Sequence, residues 1–232
     1  MSSLRSRLRS SVGKKILMAV SGLLMGVFLV LHLAGNLALF TGDADAYNKY
    51  SHFLLSLGEL LLVAEAGLIL FLLVHVVSGI SVALGRRRAR PVGYQGRGHA
   101  GGPSRKTLSS RTMIWTGVVI LVFTVVHLKT FKFGPGVAEG YVTHVDGVQM
   151  RDLHRLVMDD FSQPGYVAFY VGCMLFLGFH LRHGFWSALQ SLGAQSRKTA
   201  AVTYTAGAVF ALLLALGFLV LPLWIYVTGG SP

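Results

Sequence analysis

Four histidines fall where a sequence should avoid them. His32, His75, His127 and His180 each sit inside a long apolar run, the first of them in VFLVLHLAGNL, Val27 to Leu37. Burying an imidazole in hydrocarbon without a partner costs roughly 2–7 kcal/mol, so each ring must be bonded to something. It can hydrogen-bond to a neighbouring helix or give a nitrogen lone pair to a metal. One such histidine is explained by the first route. Four, on four different runs, are hard to explain as independent packing events. The fourth run offers two candidates, His180 and His183, which are neighbours on one helical face.

The elements that must position these rings are membrane helices. Of the 232 residues 53% are hydrophobic and 13% charged, about half the charged share of a soluble domain. Five stretches, about 16–40, 60–84, 112–131, 165–190 and 203–227, are long enough to cross roughly 30 Å of hydrocarbon. Backbone groups in lipid must be satisfied internally, so all five are predicted helices. The expected fold is an all-α integral membrane bundle, a single domain over residues 1–232. The first apolar run is too long for a cleaved signal and has no small-residue cleavage site after it, so it is expected to be retained.

Charge sets the expected orientation. The N-terminus carries Arg5, Arg7, Arg9, Lys14 and Lys15. The second loop carries Arg86, Arg87, Arg88, Arg90, Arg97, Arg105 and Lys106, with Arg111 at the next helix, and the fourth carries Arg197 and Lys198. None of these segments holds an acid. Asp43, Asp45, Glu59, Glu65, Glu139, Asp146, Asp152, Asp159 and Asp160 all lie in or beside the other two loops. The positive-inside rule then puts the N-terminus in the cytoplasm and, after five spans, the C-terminus outside. The net charge of +12 is read as orientation, not as nucleic-acid binding. The glycine- and arginine-rich loop from Arg86 to Lys106 is a solvated connector or a docking segment for a partner or anionic lipid. The outer loop 133–164 is long enough to fold over the outer surface.

Depth pairs the histidines. His32 lies 17 residues beyond Lys15 and His127 lies 16 beyond Arg111, roughly 25 and 24 Å up at the helical rise. His75 precedes Arg86 by 11 residues and His180 precedes Gln190 by 10, roughly 16 and 15 Å up. The result is an outer level, His32 with His127, and an inner level, His75 with His180. Two imidazoles at one depth on different helices are what a six-coordinate haem iron requires. Two-ligand levels suit haem better than a tetrahedral metal. Flat macrocycles need small neighbours: Gly79 and Gly184 each follow a candidate ligand by four residues, and Gly22, Gly26 and Gly35 flank His32. The lone cysteine, Cys173, can form no iron–sulfur cluster, and no dinucleotide-binding glycine signature is present.

With these residues in view, SGLLMGVFLVLHLAGNL resembles the first helix of the cytochrome b subunit of succinate:quinone oxidoreductases (succinate dehydrogenase/fumarate reductase), in the five-helix, di-haem, single-anchor group. The shared pattern Ser/Thr-Gly-x3-Gly-x5-His is met by Ser21, Gly22, Gly26 and His32. FHLRHGFWSALQSLG resembles that family's fourth span, and the five-helix layout covers nearly the whole chain. The resemblance implies two haems b, one held by the second and fourth spans and a distal one by the first and third, the pairing the depth count gives independently. The family's His-x3-Gly-aromatic pattern, met by His180, Gly184 and Phe185, favours His180 as ligand and leaves His183 beside a propionate or the quinone. It further implies electron transfer to membrane menaquinone or another quinone. The partners would be a flavoprotein subunit carrying FAD and the succinate site and an iron–sulfur subunit, both on the cytoplasmic face of the cell inner membrane. Higher oligomers of the complex are compatible with it.

Within that reading Glu65, near the outer end of the second span, is the candidate protonatable group for quinone, or an interfacial carboxylate. Asn36 is placed to bond a distal propionate or quinone, or to bridge helices. Lys129 would neutralise a distal propionate or snorkel to water. Ser21 and Ser78 lie toward the inner level, and Arg182, the one cation well inside a span, calls for an anion such as a propionate. His52, His99, His144 and His154 receive no role. Two other readings remain open: the di-haem subunit of another quinone-linked dehydrogenase, such as formate dehydrogenase or a hydrogenase, and a haem-free transporter relaying protons through histidine.

Overall fold

Each apolar run becomes a helix, and in the first of them a side-chain cap rather than the end of the hydropathy sets the start. The structure, a computed structural model, describes residues 6, 10–89, 108–196 and 198–230, and the side chains of 86, 87 and 108–111 are outside that description. The expectations resting on Arg5, Arg7, Arg9, Arg90, Arg97, Arg105, Lys106 and Arg197, and on the side chains of Arg86, Arg87 and Arg111, lie outside the described residues.

The chain forms α1 (Ser11–Asn36), a 3-10 turn (Leu37–Thr41), α2 (Ala44–Ser56), α3 (Glu59–Ala89) and α4 (Leu108–His127). A π-helical turn (Leu128–Lys132) and a short 3-10 turn (Val137–Glu139) lead to β1 (Val142–Val145) and β2 (Val148–Arg151). Then follow α5 (Leu153–Phe161), α6 (Pro164–Ser191) and α7 (Ala200–Thr228). Among the described residues five helical stretches are long and apolar enough to cross a membrane: Ser11–Thr41, Glu59–Gly85, Thr112–Lys132, Pro164–Ser191 and Ala200–Thr228. The fold is thus an all-α multi-pass membrane bundle. α1 starts five residues before its expected span because the Ser10 side chain accepts from Gly13 N and caps it there. α3 runs past the hydrocarbon to Ala89, since arginines sustain a helix as well as leucines do.

α6 is the hub, packed against α7, α4 and α1, while α3 sits at the periphery on α1. Leu31, Val63, Val77, Val125, Leu213 and Val227 are among the large apolar side chains left facing outward, as a lipid-bathed bundle requires. One end of the bundle is covered. There α2, the hairpin and α5 fold over α6 and α7 on a core of Leu39, Tyr47, Val157, Phe161, Tyr170 and Ile225. This is the end predicted to face outside, and the 133–164 segment does fold over it. The hairpin pairs Val142 with Arg151 and Val145 with Val148. Its two-residue turn puts Asp146 and Gly147 at positive φ, 52° and 77°, the backbone a tight hairpin needs. Asn48, 1% exposed, staples the cap: its Nδ2 donates to Asp152 Oδ1 at 2.9 Å and its Oδ1 accepts from His154 N at 2.9 Å.

Candidate functional site

The four intramembrane histidines meet in the two pairs that depth predicts. His75 of α3 and His180 of α6 have ring centres 6.1 Å apart with planes at 64°. His32 of α1 and His127 of α4 have ring centres 5.7 Å apart with planes at 88°. All four rings are half-buried. Neither pair lies on helices packed directly together, for α3 rests on α1 and both α1 and α4 pack on α6. The imidazoles reach across.

At the inner level each ring is held by the neighbouring helix in the same manner. His75 Nδ1 lies 3.0 Å from the Met18 carbonyl of α1. A carbonyl only accepts, so Nδ1 carries the proton. The ring gets that close because residue 22 is glycine: a Cβ there would stand 3.0 Å from His75 Cε1 and 3.1 Å from Nδ1. Ser21, 2% exposed, donates to Leu17 O at 2.7 Å and Met18 O at 3.3 Å, sharing the carbonyl that His75 uses. Across the level, His180 Nδ1 lies 3.1 Å from Thr116 Oγ1 of α4. Thr116, 1% exposed, also lies 3.1 Å from Met113 O, and when its proton goes to that carbonyl its oxygen accepts from His180 Nδ1–H, the tautomer that leaves Nε2 free. Gly117 leaves room for this ring, since a Cβ there would be 3.4 Å from His180 Cε1.

At the outer level His127 Nδ1 lies 3.2 Å from the Tyr170 hydroxyl of α6. The rest of the shell is aromatic. Phe123 stacks on His127 at 5.5 Å and Phe131 of the π turn lies at 5.4 Å. Phe28 stacks on His32 at 5.3 Å and Phe218 lies at 5.8 Å. Among the described residues no hydrogen-bond partner meets the His32 ring, and none meets Nε2 of His75, His127 or His180.

The remaining candidates fall in varied places. Gly26 is buried, and its Cβ would meet Phe210 at an ordinary 3.8 Å, while one at Gly79 would lie 3.6 Å from Met18 Sδ and one at Gly184 would meet no protein atom within 4 Å. Asn36 turns to the protein: Nδ2 donates to His32 O at 2.7 Å and Oδ1 accepts from Tyr47 OH at 3.2 Å. Burial, then neighbouring Tyr50, pushes the Tyr47 hydroxyl up to about 12, so it stays a donor. Glu65 is ion-paired with Lys132, which joins α3 to the π turn, and Lys129 is exposed. Ser78 is buried. Arg182 donates to Tyr204 OH at 2.8 Å, and among the described residues it meets no carboxylate. His183 lies beside Trp186, whose Nε1 is buried without a hydrogen-bond partner. Thr116, Gly117, Tyr170 and Trp186 were not legible as site residues. Thr, Gly, Tyr and Trp are common packing residues of membrane helices, and only helix rotation, which spacing alone does not fix, tells which of them face a histidine.

These features test the fit of a bis-histidine metal group. Two metal–nitrogen bonds of about 2 Å in line place imidazole centres roughly 6 Å apart, and both pairs have that spacing. Two imidazoles sharing one metal need not be coplanar, so 64° and 88° are both admissible. Ligating histidines give Nδ1–H to a second group and keep Nε2 for the metal, the pattern found at His75 and available at His180 and His127. A tetrahedral metal would need three or four ligands, and among the described residues no group of three His, Cys, Asp or Glu converges. The residues fit two haem irons. No family model, no curated protein and no solved structure matches this chain.

Proposed function

We propose that this chain is the di-haem cytochrome b membrane anchor of a succinate:quinone oxidoreductase, moving electrons between an iron–sulfur subunit and membrane quinone, with menaquinone the expected one. The observation that carries the reading is the meeting of four intramembrane histidines in two pairs, each across two helices, with the Nδ1 of three already engaged by protein. Haem b held there would supply one-electron transfer.

The chain's residues do the rest. His75 with His180 would hold one haem iron, and His32 with His127 the other. Phe28, Phe123, Phe131 and Phe218 keep water from the outer pair, which is one lever on a redox potential. Arg182, with only a neutral tyrosine beside it, is available to a haem propionate. Glu65 is neutralised by Lys132, so to serve quinone as a proton group it must first leave that partner. The two histidine levels span the bilayer in steps, so the chain carries electrons between a face that docks the soluble subunits and a quinone in the lipid. The flavoprotein and iron–sulfur subunits are expected on the basic end, in the cytoplasm, of a chain in the cell inner membrane. The FAD, the clusters and the succinate site belong to those partners.

The test is a reduced-minus-oxidised spectrum with a pyridine haemochrome count on purified chain. Two haems b per chain are expected, and a colourless protein overturns the reading. His32→Ala and His127→Ala should each remove one and the same spectral centre, and His75→Ala and His180→Ala the other. The complex is tested by adding succinate to native membranes. Haem that dithionite reduces but succinate does not would point to a different dehydrogenase partner.

A further inference from the structure

The hydrogen bonds that hold the inner and outer imidazoles have a reciprocal arrangement. α4 carries His127 of the outer pair and Thr116, which holds His180 of the inner pair. α6 carries His180 and also Tyr170, which holds His127 of the outer pair. The two helices are neighbours and run in opposite directions. On α4 the two residues are eleven apart, about three turns, so they share a face. On α6 they are ten apart, which spans about 15 Å, close to the separation on α4. Each helix therefore contributes one histidine at its own level and the support for its neighbour's histidine at the other.

Both supports are rigid. The Tyr170 ring is 5% exposed and lies against Phe123, Phe131, Phe161, Tyr166 and Phe169, with centres 4.9–6.2 Å away. Thr116 is 1% exposed and its hydroxyl lies within 3.1 Å of both Met113 O and His180 Nδ1.

We propose that Thr116 and Tyr170 are positioning residues forming a crossed brace, in which each fixes the tautomer and rotation of the other helix's histidine and so tunes one haem apiece. The inference rests on the di-haem reading. A group accepting the Nδ1 proton makes the imidazole more electron-rich and favours the oxidised metal. Removing the acceptor therefore moves that centre toward the reduced form.

The assay is an optical redox titration of each centre in the purified protein, with low-temperature paramagnetic resonance of the oxidised form. Thr116→Val should raise the midpoint of the centre that His75→Ala deletes and leave the other in place. Tyr170→Phe should raise the midpoint of the centre that His32→Ala deletes. One lost hydrogen bond of about 1 kcal/mol corresponds to roughly a fivefold change in the reduced-to-oxidised ratio at fixed ambient potential. Thr116→Ser, which restores the hydroxyl, should return the wild-type value. Should Thr116→Val fail to assemble, Thr116→Ala removes the same hydroxyl with less bulk and serves in its place. Shifts in both centres together, a shift in neither, or no rescue by serine would overturn the brace while wild-type protein still holds two haems. A wild-type protein without haem overturns the di-haem reading itself, and the brace with it.

Discussion

Gly22→Ala puts one methyl group against a histidine, and its effect can be worked from the distances. The new Cβ would stand 3.0 Å from His75 Cε1 and 3.1 Å from Nδ1, where relaxed contacts between carbon atoms lie at about 3.5–4.0 Å. The ring must retreat by about 0.5 Å. Its 3.0 Å bond to Met18 O then lengthens to the edge of hydrogen-bond range. The lost bond costs about 1 kcal/mol, and a ring forced off its rotamer costs a further 0.5–1.5 kcal/mol or so. The sum, about 2 kcal/mol, is roughly a thirtyfold loss of affinity at the inner haem site. Haem content of the purified variant, measured by pyridine haemochrome and resolved by spectrum into its two centres, should show the inner centre depleted and the outer one intact. Gly117→Ala, with a Cβ at 3.4 Å from His180, should cost visibly less, and Gly26→Ala, with its nearest protein atom at 3.8 Å, less still by protein contacts alone. Equal losses at Gly22 and Gly117, or loss of the outer centre from Gly22→Ala, would refute the placing of His75 on the face of α1.

Three further outcomes follow from the cap and its borders. Asn48→Ala removes the acceptor of His154 N–H and the donor to Asp152, so the cap should weaken by about 1–3 kcal/mol, seen as faster proteolysis of the 133–163 segment; unchanged cleavage would count against the staple. Burial lowers the His154 pKa, so the fold favours the neutral ring: its stabilisation is present above the unfolded value of 6.5 and is lost as pH falls through the lower folded value. Proteolysis of the cap should therefore quicken as pH drops below about 6.5, and His154→Gln should flatten that dependence. Burial, then Asp159, raises the Asp160 pKa, which has the opposite sign and acts in the more acid range, so the two contributions are separable by pH. Lys132→Ala breaks a partly exposed ion pair with Glu65, and its effect on melting temperature should be within that expected of about 1 kcal/mol or less; a large fall would assign the pair a structural part in joining α3 to α4.

What could be read from the chain and what could not divide along one physical line. The rise of a helix is fixed at 1.5 Å per residue, and the bilayer has a set thickness. Position along the membrane normal is therefore a count from the last charge, and counting was enough to pair His32 with His127 and His75 with His180. Rotation about the helix axis is set by packing, which no count provides. Thr116 is for that reason one threonine among many, although it is the residue whose hydroxyl meets His180 Nδ1. Gly22 is expected to leave room for a macrocycle beside His32, and its space goes instead to the His75 ring of the other pair. Glu65 and Asn36 have partners, Lys132 and Tyr47, that come from elements whose direction of approach depends on the loops, so no count along the chain finds them.

The cap was the least legible part, because α2, the hairpin and α5 are short and amphipathic and take their order from each other. Only the ends of these elements left a local signal: Asp43 and Asp152, each accepting from a backbone N–H three residues on, and the Asp146–Gly147 turn. The cap's apolar core also holds Tyr170 in place, and Tyr170 in turn reaches His127. A disturbance of Asn48 should therefore be felt at the outer histidine pair before the inner one, because the inner supports, Thr116 and Met18, stand on α4 and α1 and share no residue with the cap core. If Asn48→Ala alters the spectrum of the inner centre and spares the outer, Tyr170 is not the link between the cap and His127.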